Sequence, residues 1–201
     1  MKNLLFLIVS LICFIGYGQT SKDYFIKGNL KANSKDYKGA IEEYTKAIEA
    51  DAKNASAYNN RGLCEMSLEK FKAAVEDFTK AIELEPAYAE AYNNRGLAKC
   101  QIGKYKSAID DYTKFIEFLP KNIQGYCNRG CAKMEYGDYD AAIQDFNKAI
   151  TIEPKNSKAF CDRGTCKHQM GNQEEACSDW KIAEQLGYKK ATEWINNNCG
   201  I

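Results

Sequence analysis

The chain has 201 residues, 45% of them hydrophobic and 27% charged, with a formal net charge of +1. That is ordinary globular composition. No run of Lys or Arg is present, which disfavours nucleic acid as a partner, because such a surface carries a basic stripe.

The first 18 residues differ from the rest. Lys2 supplies a positive start, residues 4–15 form an apolar core, and Gly16-Tyr17-Gly18 place small residues before Gln19. This is the pattern of a signal peptide over residues 1–18. Its apolar core is short of the ~20 residues a helix needs to cross a bilayer, so no membrane span is expected in the mature chain. The expected location is periplasmic or secreted.

From Ser21 onward the sequence repeats at a spacing of 34 residues, in five copies: 21–54, 55–88, 89–122, 123–156 and 157–190. A fixed period of this size marks stacked units, none of which buries its own apolar face alone. Gly28, Gly62, Gly96, Gly130 and Gly164 form one column, and Ala40, Ala74, Ala108, Ala142 and Ala176 a second. Small side chains there let two antiparallel helices approach closely. Tyr24, Tyr58, Tyr92, Tyr126 and Phe160 fill gaps in the first half of each unit, and Tyr44, Phe78, Tyr112, Phe146 and Trp180 in the second. Pro86, Pro120 and Pro154 follow the end of the second half of a unit, where proline cannot continue a helix.

Each unit therefore reads as helix, short turn, helix. In the third copy the first helix is expected over residues 89–102, with Gly103 and Lys104 in the turn, and the second over residues 105–119. Tyr105, Ala108, Ile109, Tyr112, Ile116 and Leu119 recur there at helical spacing. After the fifth unit Gly187 stops a helix, and a further helix is expected over residues 189–198. Ala191, Trp194 and Ile195 share one face of it, so residues 189–201 read as a lid and tail over the last unit, with Trp194 in core packing.

These columns resemble those of the tetratricopeptide repeat family: an aromatic four places before the glycine, an alanine twelve places after it, an aromatic four further on, and the closing proline. The resemblance covers residues 21–190. It implies an all-α, right-handed superhelical solenoid of helix-turn-helix repeats with a C-terminal capping helix. Departures fall in the end copies, where atypical units are expected. The first has Ala52 in place of proline and Lys35 in place of the turn glycine; the fifth has Gln173 in place of the turn aromatic that opens the second helix (Tyr37, Phe71, Tyr105 and Tyr139 in the other copies) and Tyr188 in place of proline.

One charge pattern recurs. Lys27, Arg61, Arg95, Arg129 and Arg163 precede the glycines, and Glu43, Asp77, Asp111, Asp145 and Asp179 stand sixteen places later. Lys with Glu in the first copy, and Arg with Asp in the other four, are expected to form a ladder of charge-assisted hydrogen bonds between helices.

Eight cysteines follow the leader: Cys64, Cys100, Cys127, Cys131, Cys161, Cys166, Cys177 and Cys199. An exported chain meets oxidising conditions, which permit disulfides. The stretch from Ala176 to Cys199 is similar to the carboxyl ends of bacterial exported repeat proteins, and this likeness implies a Cys177–Cys199 bond pinning the lid. Cys64 and Cys166 share a column with Ala98 and Ala132, as free Cys does when it acts as a small hydrophobe. A metal site from Cys127, Cys131, Cys161 and His168 matches no zinc spacing, so no metal or cofactor is expected.

Catalytic patterns are missing from the sequence. His168 is the only histidine, and Cys166, two places away, lies on another helix face. No phosphate-binding glycine loop, HExxH or serine elbow occurs. The expectation is a protein that is not an enzyme.

The resemblance also implies a concave groove lined by the first helices, which holds a peptide or partner protein. Carried over column by column, the groove residues are Phe25, Asn29 and Asn33; Asn59, Leu63 and Met66; Asn93, Leu97 and Gln101; Cys127, Cys131 and Met134; and Cys161, Thr165 and His168. That wall is neutral and partly apolar, with amides able to bond an extended backbone and soft Met side chains suited to adaptable contacts. A family subtype clamps a terminal carboxylate with two Asn and several cations. Asn29 and Asn60 fit the Asn places, but Phe25, Glu90 and Asn94 hold the basic ones. The expected function is a protein-interaction scaffold. The alternative is a thiol-based redox or metal-binding protein using Cys127, Cys131 and Cys161.

Overall fold

Six of the described helix starts are set by short polar side chains that bond the first free amides. Thr20 accepts from the amide of Asp23, whose carboxylate returns a bond to the Thr20 amide. Asp36, Asn54, Asn122, Asp138 and Asn156 cap later helices by accepting one backbone amide each, without the return bond. The turns need one residue with positive φ. Gly103, Gly137 and Gly171 supply it in the last three repeats, and Lys35 (64°) and Glu69 (58°) in the first two.

The computed structural model describes residues 20–200. Among them the chain forms eleven helices and no strand: α1 (Ser21–Asn33), α2 (Tyr37–Ala50), α3 (Ala55–Ser67), α4 (Phe71–Leu84), α5 (Ala89–Gln101), α6 (Tyr105–Phe118), α7 (Ile123–Tyr136), α8 (Tyr139–Ile152), α9 (Ser157–Gln169), α10 (Gln173–Gln185) and α11 (Lys190–Asn198). The helices of the third repeat each end one residue earlier than the sequence pattern predicts, and the lid begins one residue later. Ile102 falls outside α5 because Gly103, at φ 72°, turns the chain there. The leader expected over residues 1–18 lies outside the described residues, and no described helix is long and apolar enough to cross a membrane.

Successive helices pack in sequence order, which makes the molecule a solenoid of helix pairs. Within each pair the glycine column meets the large aromatic of the second helix. A Cβ built on Gly96 would stand 2.8 Å from the Tyr112 ring, and one on Gly130 2.8 Å from Phe146. The absent side chain is therefore what allows the ring in. Tyr44, Phe78, Tyr112, Phe146 and Trp180 are all at most 1% exposed. Burial of each ring stabilises by about 2–3 kcal/mol.

The core then continues across each junction. Ala108 and Tyr112 of the third repeat pack with Ala132 of the fourth, and Ala142 and Phe146 of the fourth with Cys166 of the fifth. At the end of the array α11 sets Ala191 and Ile195 on Ala176, Trp180 and Ala183. The Trp194 ring lies 5.4 Å from that of Trp180, so Trp194 is packed as a core residue. Cys177 and Cys199 stand with their Cα atoms 5.7 Å apart, within the span a disulfide requires, and their sulfurs 2.09 Å apart.

Candidate functional site: the inner wall of the solenoid

Each first helix touches the first helix of the next repeat (α1 with α3, α3 with α5, α5 with α7, α7 with α9), whereas second helices are not packed together in this way. The first helices therefore line the inner side of the curve. Their side chains form the candidate site.

The inner wall carries an amide ladder that crosses the repeat junctions. Asn60 donates to the Asn29 side-chain oxygen at 3.1 Å, Asn94 to Asn59 at 3.0 Å, and Asn128 to Asn93 at 2.9 Å. Tyr44 also donates to Asn29, at 2.7 Å. Asn29, Asn59 and Asn93 are thus engaged by neighbours as well as aligned along the groove. Asn59 is 4% exposed and offers little surface to a ligand. The donors Asn60, Asn94 and Asn128 are part of the wall, and each is half-buried.

The ladder changes at the last junction. Cys127 replaces the acceptor Asn, and Asp162 replaces the donor. There the Cys131 thiol points at Asp162, with Sγ to Oδ2 at 3.6 Å, and Lys158 pairs closely with the same carboxylate. Cys161 is 4% exposed and packs in the core beneath the lid with Ala176 and Trp180, so it is not part of the open wall. Burial pushes the Cys131 thiol up to about 12, with Asp162 adding to it, and burial pushes Cys161 up to about 11 and Cys127 upward as well. Thiols held protonated are poor nucleophiles and poor metal ligands at neutral pH.

The remaining expected residues are accessible to different degrees. Asn33, Leu63 and Gln101 are exposed, and Phe25, Met66, Leu97, Met134, Thr165 and His168 are half-buried. Two open clefts mark the wall. One, of about 360 Å³, lies between Asn29, Asn33, Tyr44, Asn60, Leu63 and Cys64 at the first junction. The other, of about 330 Å³, lies between Gln124, Cys127, Asn128, Cys131 and Lys158 at the fourth repeat.

His168 is less free than its column implies. Its Nδ1 lies 2.6 Å from Gln173 Oε1, and its ring lies 5.5 Å from that of Trp180. Gln173 in turn donates to the backbone oxygen of Asn198 at 2.7 Å. The Gln that departs from the turn aromatic thus ties the inner wall to the lid.

Behind the wall runs the charge ladder. Arg61 meets Asp77 through two bonds of 2.7 Å, Arg95 meets Asp111 at 3.0 and 2.7 Å, Arg129 meets Asp145 at 2.9 and 2.7 Å, and Arg163 meets Asp179 at 2.8 and 2.6 Å. Each guanidinium also reaches the preceding repeat, at Thr45, Thr79, Thr113 or Asn147. With every fork consumed inside the protein, the arginines are not a grip for an anionic ligand. The first copy departs from this. Lys27 stands 5.9 Å over the Tyr24 ring, and Glu43 is bonded instead by Lys31 and Lys46. A lysine lacks the fork, and no described repeat precedes α1 to hold one.

Family models described as tetratricopeptide repeat match residues 55–88 and 123–156 and, in a second model, residues 78–110 and 146–178; one described as TPR repeat matches residues 24–64. Among solved structures, MamA protein matches with a TM-score of 0.80 and 29% identity, over 87% of this chain and 96% of that one. YrrB, described as a TPR protein with an unusual peptide-binding site, matches with a TM-score of 0.79 and 20% identity, over 89% and 93% of the two chains. A MamA fragment from Desulfovibrio magneticus RS-1 matches with a TM-score of 0.80 and 18% identity, over 84% and 96%. At such identities these last two likenesses concern the fold alone. No curated protein matches the chain in sequence.

Proposed function

The chain belongs to the tetratricopeptide repeat family, and we propose that it is a non-catalytic scaffold that holds an extended peptide or partner segment on its inner wall. The observation that carries this reading is the wall itself. Amide side chains run along it in line, clefts open at the first and fourth repeats, and apolar side chains such as Leu63 and Leu97 stand beside them. The ladder cations behind it are internally neutralised, so an uncharged, partly apolar segment fits better than an acidic tail. The peptide-binding site named for YrrB belongs to that protein, and it agrees with this reading in kind. Protein or peptide is thus the proposed partner, and nucleic acid is not, for want of a basic stripe.

Export and the Cys177–Cys199 bond are part of the same proposal. The leader pattern supports a mature chain that starts at Gln19 and works in the periplasm or outside the cell, where a bond between two cysteines at bridging distance persists. Amino-terminal sequencing of the natural protein should begin at Gln19, and non-reducing peptide mapping should recover Cys177 joined to Cys199. The thiol reading has less support, because the groups it needs are raised away from the thiolate.

The binding reading is tested by selecting ligands from a random peptide library. Selected peptides should bind the native chain and lose at least about tenfold in affinity with the pair Leu63→Lys and Leu97→Lys, about 1.4 kcal/mol. They should be unaffected by Lys80→Glu on the outer helix α4. Loss at Lys80 with none at the two leucines would place binding elsewhere.

A further inference from the structure

The acid of every rung in the charge ladder meets two cations, with one exception. Glu43 is bonded by Lys31 and Lys46 at 3.3 and 3.0 Å. Lys99 joins Arg95 on Asp111 at 2.7 Å, Lys133 joins Arg129 on Asp145 at 2.8 Å, and Lys167 joins Arg163 on Asp179 at 3.0 Å. Lys31, Lys99, Lys133 and Lys167 occupy one column of the repeat, and the second repeat has Glu65 there. A carboxyl therefore stands in the slot of an ammonium.

The local surroundings do not compensate. Oε2 of Glu65 is buried with no hydrogen-bond partner, which sets it apart from the other buried side-chain nitrogens and oxygens of the described residues. A buried acceptor left unpaired costs about 1–3 kcal/mol, and more when charged. The charged groups facing it are Asp77 and Glu76 on α4, Arg61 one turn back on α3, and Lys70 in the turn. Arg61 is already bound twice to Asp77 and once to Thr45. Asp77 thus repels Glu65, while Arg61 is occupied.

We propose that Glu65 makes the second repeat a pH-sensitive rung, neutral and well tolerated in mildly acidic surroundings, and loosening the α3–α4 pair when it ionises. Burial, followed by the charge of Asp77, pushes its carboxyl up to about 7, against about 4.3 for a free Glu. The folded chain therefore holds this proton more tightly than the unfolded chain does. Below the unfolded value both states are protonated and the stabilisation is complete. As pH rises from about 4 to 7 the unfolded chain releases the proton first, and stability from this group falls until the folded value is passed. Because α3 also carries Asn60 and Leu63, the rung acts on the helix that walls the first cleft. The inference does not depend on what occupies that cleft.

The test is urea unfolding of the full chain at pH 5 to 8, with Glu65→Gln and Glu65→Lys beside the native protein. Relative to Glu65→Gln, the unfolding equilibrium constant of the native chain should rise at least about tenfold across this range, the equivalent of one pKa unit. Glu65→Lys, which restores the ladder column, should be the most stable of the three at pH 8. Parallel profiles for native and Glu65→Gln would overturn the proposal. A carbon-13 titration of the Glu65 carboxyl in the folded native chain needs no variant. A midpoint above about 5.5 supports the proposal, and one at or below that value overturns it.

Discussion

The two ends of the array are built from the same columns and finish differently. At the carboxyl end the last repeat is covered: Trp180 and Ala183 are fully buried beneath α11, and Cys199 reaches back to Cys177. At the amino end no described element precedes α1, and Leu30 is 64% exposed and Ile26 46%. The column of Leu30 is filled by Cys64, Ala98, Ala132 and Cys166 in the later repeats, each at most 3% exposed. The same position is core or surface according to whether a neighbour stacks on it, which is the property of a one-dimensional assembly. Stability at either end thus depends on the covering, and the ends should respond to substitution very unequally.

Trp180→Ala should have the largest effect. It empties the centre of the lid contact and removes the indole bond to the Cys161 carbonyl, so the cost should be about 3–5 kcal/mol by chemical unfolding. An effect under 1 kcal/mol would mean that the lid is not packed as described. Cys199→Ser should come next, at about 3 kcal/mol under non-reducing conditions, because the bond closes a loop of 22 residues. The same substitution should cost almost nothing with a thiol reductant present, and an equal cost in both conditions would assign the loss to packing alone. Lys35→Gly should move the other way. Lys35 sits at φ 64°, where a side chain costs about 1–2 kcal/mol, so relief should outweigh the added chain entropy and raise the unfolding midpoint slightly. Leu30→Ser should change stability by less than about 0.5 kcal/mol, since most of that side chain already faces water. A large loss there would mean that Leu30 is covered in the folded protein.

Much of this contrast is legible in the sequence, and the parts that are not have a common cause. The glycine and aromatic columns announce themselves because both partners recur every 34 residues, so the period carries the contact. The Arg–Asp ladder is legible for the same reason, through its constant offset of sixteen. Contacts made once are not. Gln173 reads only as a missing aromatic, because its partners, His168 and the Asn198 carbonyl, converge on it only after α11 folds back. The amide ladder is obscured differently. At the second and third junctions its donors and acceptors come from adjacent columns, as Asn59 and Asn60 do, yet each bonds across a junction, so the columns are visible and the pairing is not. Asn59 and Cys161 illustrate the limit of carrying a groove over by column, since local packing buries both while their counterparts Asn93 and Cys127 remain half-open. Glu65 is visible as a break in a lysine column, but only once those lysines are known to serve the ladder.

The central claim is that the inner wall of the first helices receives the partner. The most direct measurement is an amide chemical-shift map of the isotope-labelled chain with a peptide selected on the native protein. The account predicts shifts concentrated on α3, α5 and α7, around Asn60, Leu63, Leu97 and Met134. It would be contradicted by shifts confined to the outer helices, around Lys80, Glu83, Lys114 and Glu117.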